Sequence, residues 1–230
     1  MLFSILRSGR ADLLQVIMYI LSTLLTIFFV LPLHECAHAF VAYKLGDSTA
    51  KWRGRLTLNP MKHIDYFGAA LLLIAGFGWA KPVPINARNF KDPKVGMALS
   101  ALAGPVSNLL AAILAGLLQN CFLMLMAVNV LPYGNWAVYV LFFFKYLIYI
   151  NVGLAVFNFL PVPPLDGSKI LMAFLPDKAI FWISQREQMI SMGLMILVVM
   201  GAFNGILTVA DAFLYDLIIW LTALPFAWAF

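Results

Sequence analysis

The sequence predicts an all-α polytopic membrane protein: a bundle of about four full transmembrane helices, one short re-entrant or half-crossing segment, and small strand or loop elements on the cytoplasmic side. Three observations carry that expectation. Hydrophobic residues make up 63% of the chain and charged residues only 11%, where soluble domains carry roughly a quarter. Mean hydropathy is +0.94. The apolar residues also fall in runs long enough to cross a bilayer, with the basic residues gathered between them. The 230 residues suit one membrane-embedded domain over 1–230, with no room for a large soluble domain. A net charge of +5 in such a chain points to cytoplasmic loops and not to nucleic acid. Cys36 and Cys121 both lie in apolar runs and offer neither a disulfide framework nor zinc-finger spacing.

The elements follow in order. Arg7 and Arg10 precede a first helix predicted over 12–43, which lacks a small-residue cleavage site and is expected to be retained. That helix is longer than the ~30 Å hydrocarbon core, so it must tilt, bend or protrude. Pro32 removes a backbone donor and is expected to kink it just before His34. Residues 44–65 read as a basic loop with a strand-like "RLTLN". The stretch "YFGAALLLIAGFGWA", 66–80, would span only about 22 Å as a helix, which favours a re-entrant hairpin or a segment buried against the bundle. After the Pro- and Lys/Arg-rich "KPVPINARNFKDPK" comes a long helix, 95–130, and then a third, 135–160. "PVPPLDG" breaks the third at 161–167. A polar connection with a short helix occupies 168–187, and a fourth crossing is expected over 188–208. The apolar, aromatic tail 211–230 is expected to lie on the interface or make a short extra crossing.

Charge supplies an orientation. Twelve of the fifteen Lys and Arg residues lie in 44–65, 81–94 and 168–187, whereas the turn near 121–135 has no charge. The positive-inside rule then makes those three loops cytoplasmic and the N-terminus external, with Arg7 and Arg10 outvoted. Residues 66–80 must enter and leave on one side. The expected location is the cell membrane, with the active site towards the cytoplasm.

Within the first helix, "LPLHECAHAF" places His34, Glu35 and His38 in an apolar run. His34 and His38 are four apart and share a helix face. H-E-x-x-H on a helix is a zinc signature: two imidazole ligands with the glutamate as general base. The bland reading is three polar side chains satisfied within a bundle, but ionisable groups at membrane depth are functional by default. A catalytic zinc needs a third protein ligand and an open position. Asp166, where the prolines break the third helix, is the membrane-depth carboxylate that stands out; its rival role is a helix N-cap. His63 is the only other histidine and reads as a transient metal ligand, a substrate contact or a structural loop residue. Lys145 is expected to snorkel towards the outer interface.

"HECAH" at 34–38, "AGPVSN" at 103–108, "NFLPVPPLDG" at 158–167 and "GFGWAKPVPIN" at 76–86 together resemble the site-2 proteases, intramembrane zinc metalloproteases, in their compact bacterial branch without PDZ or CBS domains. The resemblance covers roughly 25–175. It implies one Zn²⁺ per chain held by His34, His38 and Asp166, and water activated by Glu35. It further implies that Asn108 and Asn158 sit near the site and help hold the substrate backbone. The implied partners are the lipid bilayer, a single-pass or pre-cleaved membrane-protein substrate, and accessory membrane partners in place of a PDZ domain. The competing reading is a non-enzymatic zinc or metal transporter, or a membrane scaffold with a structural metal. Against the first, the chain shows no internal repeat; against the second, it shows no fourth ligand beside the histidines.

Overall fold

A computed structural model describes residues 12–229; Arg7 and Arg10 lie outside that range. Eight helices carry the architecture: α1 (Leu13–Lys44), α2 (Tyr66–Ala75), α3 (Pro93–Ala127), α4 (Asn135–Asn158), α5 (Asp166–Met172), α6 (Asp177–Gln185), α7 (Glu187–Val199) and α8 (Asn204–Ala223). Four stretches are long and apolar enough to cross a membrane: Leu13–Lys44, Pro93–Ala127, Asn135–Asn158 and Leu207–Trp228. The chain is a multi-pass membrane protein.

α1 begins on Asp12, whose side chain accepts from the Leu14 N–H. It does not break at Pro32. Instead, Thr26–Val30 form a π-helical turn, in which the Leu31 N–H reaches back to the Thr26 carbonyl. The widened turn lets the helix accommodate a proline that cannot donate to its own preceding turn. The buried hydroxyls of Thr23 and Thr26 are satisfied by the carbonyls of Tyr19 and Ser22, at 2.8 and 3.0 Å.

Two apolar clusters hold the bundle. Tyr19, Ile27 and Leu31 of α1 pack with Leu72 of α2 and with Tyr146, Ile150 and Leu154 of α4. Ala112 and Ala115 of α3 pack with Leu147, Ile148 and Val152 of α4 and Ile218 of α8. Small residues on α3 let its backbone approach its neighbours closely, the usual device where lipid supplies no hydrophobic drive between helices.

The short apolar segment is a re-entrant hairpin. Asp65 caps α2 by accepting from Phe67 and Gly68 N–H. Gly76 ends it in the left-handed region at φ 83°, where a side chain would be strained. The tip reaches Tyr19, whose hydroxyl bonds the Leu73 carbonyl at 3.2 Å. The chain then returns through 77–86 without helix or strand, and the Lys81 N–H donates to the His63 carbonyl at 2.7 Å. Entrance and exit are thus joined at one end. The arms touch so closely that a Cβ on Gly68 would lie 2.2 Å from the Trp79 carbonyl oxygen, and one on Gly78 would lie 2.1 Å from that of Gly68.

"RLTLN" is not a strand: among the described residues there is none, because neither it nor 77–86 finds a pairing partner. The fourth crossing is also displaced from 188–208. Gly201, at φ 76°, stops α7 after 13 residues, too short to span, and the long apolar helix starts at Asn204. The tail, expected to lie on the interface or make a short extra crossing, therefore supplies the fourth crossing, and α7 is left to line the cavity.

The basic loops gather at one end. Asp47 accepts from the Asn86 N–H at 2.7 Å and the Asn89 side chain at 2.6 Å, joining 44–65 to 81–94. Lys94 Nζ pairs with Asp177 Oδ1 at 2.8 Å and donates to the Leu175 carbonyl at 2.9 Å, joining 81–94 to 168–187.

Candidate active site

At that basic end of the bundle, α1, the hairpin's return arm, α3, α4, α5 and α7 enclose a cavity of about 380 Å³. His34, Glu35 and His38 line it from α1 and Asp166 from the start of α5; each is about 6–7% exposed. The apolar walls include Trp79, Met97, Phe157 and Leu194.

The helical spacing brings the two imidazoles together, with Nε2 atoms 3.0 Å apart. Asp166 Oδ2 lies 3.4 Å from His34 Nε2 and 3.3 Å from His38 Nε2. His38 Nδ1 is 2.7 Å from the Ser100 carbonyl. A carbonyl only accepts, so Nδ1 carries a proton; the neutral ring in that tautomer would turn its Nε2 lone pair towards Asp166. Two ring nitrogens and a carboxylate oxygen thus converge within 3.0–3.4 Å, a repulsive set unless a positive charge lies among them. Tetrahedral ligands about 2.0–2.1 Å from zinc are separated by about 3.3–3.4 Å, so the triangle fits one face of such a site.

Glu35 completes a metal-competent group with the two histidines, yet it is held separately. Its Oε2 accepts from the Val83 N–H at 2.8 Å, which ties the carboxylate to the hairpin's return arm and aims it at the cavity. Behind the histidines stands Gly104: a Cβ there would come 2.3 Å from His38 Nε2 and 2.6 Å from His34 Cε1. Beside Asp166, a Cβ on Gly167 would lie 2.2 Å from the Phe159 carbonyl oxygen. Each of the motifs "AGPVSN" and "PVPPLDG" therefore carries a glycine that packing requires.

Asn158 lines the cavity, with its Nδ2 donating to the Leu154 carbonyl at 2.9 Å. Asn108 does not reach the wall. It is fully buried on α3, one helical turn beyond Gly104, with neither amide atom bonded among the described residues. His63 is also fully buried; its Nε2 is bonded to the Thr57 carbonyl at 2.8 Å, and it is not part of the metal-competent group. Sequence reasoning missed the Ser100 carbonyl, the Val83 N–H and Asp47, since two are backbone groups with no residue signature. The glycine of "AGPVSN" was the one readable sign of close approach.

Comparison with known proteins converges on one family. The profile for peptidase family M50 matches residues 121–202. The chain is 43% identical over 174 residues to the "Putative zinc metalloprotease YwhC" of Bacillus subtilis (strain 168), covering 76% of this chain and 77% of that protein. It is 28% identical over 191 residues to the "Putative zinc metalloprotease Rip2" of Mycobacterium tuberculosis (strain ATCC 25618 / H37Rv), covering 81% and 70%. The Mycolicibacterium smegmatis protein of the same name is 32% identical over 145 residues, covering 60% and 51%. No solved structure matches the chain significantly.

Proposed function

The chain belongs to peptidase family M50, and on that premise we propose that it is an intramembrane zinc endopeptidase of the site-2 type, hydrolysing a peptide bond within or near a transmembrane segment of a membrane-protein substrate. The observation that supports this most is the meeting of two imidazole nitrogens and a carboxylate oxygen with an independently held glutamate, all inside a bundle of apolar helices.

His34, His38 and Asp166 would hold one Zn²⁺. When bound it supplies Lewis acidity, polarising a carbonyl and making water nucleophilic near neutral pH. The protein's own groups do the rest. Glu35 takes the proton of the attacking water and delivers it to the leaving amine. The Val83 N–H holds the second lobe of that carboxylate in place. The Ser100 carbonyl fixes the ring of His38, and Gly104 makes room for both rings.

A helical substrate hides its carbonyls in its own hydrogen bonds and must unwind to be cut. The arm 77–86 runs along the cavity without a pairing strand and offers an edge for the unwound backbone. Asn158 adds an amide on the facing wall. The basic loops face the cytoplasm and the N-terminus lies outside. The substrate class is a single-pass or already trimmed membrane protein.

The test is cleavage of a transmembrane peptide in detergent by protein stripped of metal and then titrated with Zn²⁺. Activity is expected to vanish on stripping and return at about one equivalent per chain, with mass spectrometry placing the cut in the apolar segment. Cleavage that survives complete stripping would refute the assignment.

A further inference from the structure

The mechanism leaves three charged residues at membrane depth unused: Asp211, which is buried on α8, and two that are exposed. Lys145 is near the middle of α4, and Asp216 is near the middle of the span Leu207–Trp228. Both are exposed at the bundle surface. Among the described residues neither makes an ion pair or a side-chain hydrogen bond. The expectation that Lys145 snorkels fails on distance. From mid-bilayer the interface is about 15 Å away, and a lysine side chain reaches about 6 Å. Aspartate reaches less. Ionisable residues at this depth ordinarily face the bundle interior or pair with one another.

α4 and α8 run antiparallel with a readable register. The Tyr149 and Tyr215 rings lie 6.4 Å apart, and a Cβ on Gly153 would sit 3.8 Å from Asp211 Oδ2. Residue 149 is thus level with 215 and 153 with 211, which puts Lys145 level with 219. Asp216 is three residues from that level, about 4.5 Å along the axis and within a lysine's reach. Tyr149 lies one turn from Lys145 on α4, and Tyr215 adjoins Asp216 on α8, so both charges lie beside the Tyr149–Tyr215 ring pair. Around it the outward residues Val138, Phe213 and Trp220 are 51%, 66% and 60% exposed.

We propose that this α4–α8 face is an interface with a second copy of the chain, in which Lys145 of each copy pairs with the partner's Asp216. A two-fold axis along the membrane normal keeps every residue at its own depth, so it brings both pairs together at once and closes the assembly. The complementary charge is on the chain itself, which is what selects a second copy as the occupant.

The experiment is energy transfer between donor- and acceptor-labelled protein in vesicles of phosphatidylethanolamine and phosphatidylglycerol, across a series of lipid dilutions. The wild type should associate. Lys145→Asp or Asp216→Lys alone should weaken association about tenfold or more. Mixing the two variants should restore it, since each copy then offers what the other lacks; rescue also shows that both variants are folded. A wild type that stays monomeric throughout overturns the proposal. So does association that ignores both substitutions. So does rescue by the Lys145→Asp/Asp216→Lys double variant without rescue by the mixture, since that places the pair within one copy.

Discussion

Gly104 shows how much of the site rests on single atoms. A methyl group there would meet both imidazoles at 2.3–2.6 Å, so Gly104→Ala must push α1 and α3 apart or turn the rings. Such overpacking costs about 1–3 kcal/mol; the expected outcome is a folded protein with most of its zinc and turnover lost, checked by metal analysis beside a cleavage assay. Asp166→Ala removes the oxygen that closes the triangle and should likewise empty the site, whereas Asn158→Ala should cut cleavage and leave zinc bound. Full zinc occupancy in Asp166→Ala would remove it from the ligand set. His34, Glu35 and His38 are legible in the sequence because their relation is local, one turn of one helix. Asp166 is 128 positions from His38 in the sequence, and only its setting among prolines, with the family resemblance, drew attention to it. The Ser100 carbonyl and the Val83 N–H touch the site through the backbone, and no side chain advertises them.

Among the elements, the hairpin arm does most to connect loop to chemistry. Asp47 is fully buried and gathers Thr49, Asn86 and Asn89, and three residues before Asn86 the Val83 N–H holds Glu35. Asp47→Ala is expected to destabilise by about 1–3 kcal/mol through the donors it strands, and to lower turnover by loosening Glu35. Burial alone would raise the Asp47 carboxyl, yet these hydrogen bonds hold it below the usual carboxylate range. Its contribution is therefore present above the unfolded value of about 3.9 and is lost as pH falls through the folded one. Burial, with Arg55 assisting, holds the His63 imidazole below its usual range against the pull of the Thr57 carbonyl. The unfolded chain then takes up that proton first, so stability starts to fall below about pH 6.5. Melting temperature against pH should show both declines, with the upper one abolished in His63→Gln and the lower one in Asp47→Asn. A profile identical in all three proteins would contradict both assignments. The hairpin was legible because 66–80 is too short to cross. The end of α7 was not: hydropathy stays high across 188–208, and one glycine does not announce a break until its φ is seen.

At the scale of the molecule, the sequence declared a helical membrane bundle because composition and charge placement are global properties that no single misplaced boundary disturbs. Even the displaced fourth crossing left the count of spans unchanged. The joined basic loops make a topological prediction. In a protein freed of Cys36 and Cys121, single cysteines at Arg53 and Lys91 should label from the cytoplasmic side, and one at Tyr133 from outside. Labelling of Arg53 and Lys91 from opposite faces would mean that the hairpin crosses. The central claim is that this bundle exists to bring a metal and a base to a peptide bond in the membrane, and Glu35→Gln tests it most directly. Glutamine keeps the shape and cannot take the proton. Purified in detergent, loaded with zinc and given a transmembrane peptide, the variant should bind metal as the wild type does, melt at a similar temperature, and lose about 10²–10⁴-fold or more in turnover. Zinc-loaded Glu35→Gln protein that cleaves at near the wild-type rate would contradict the account.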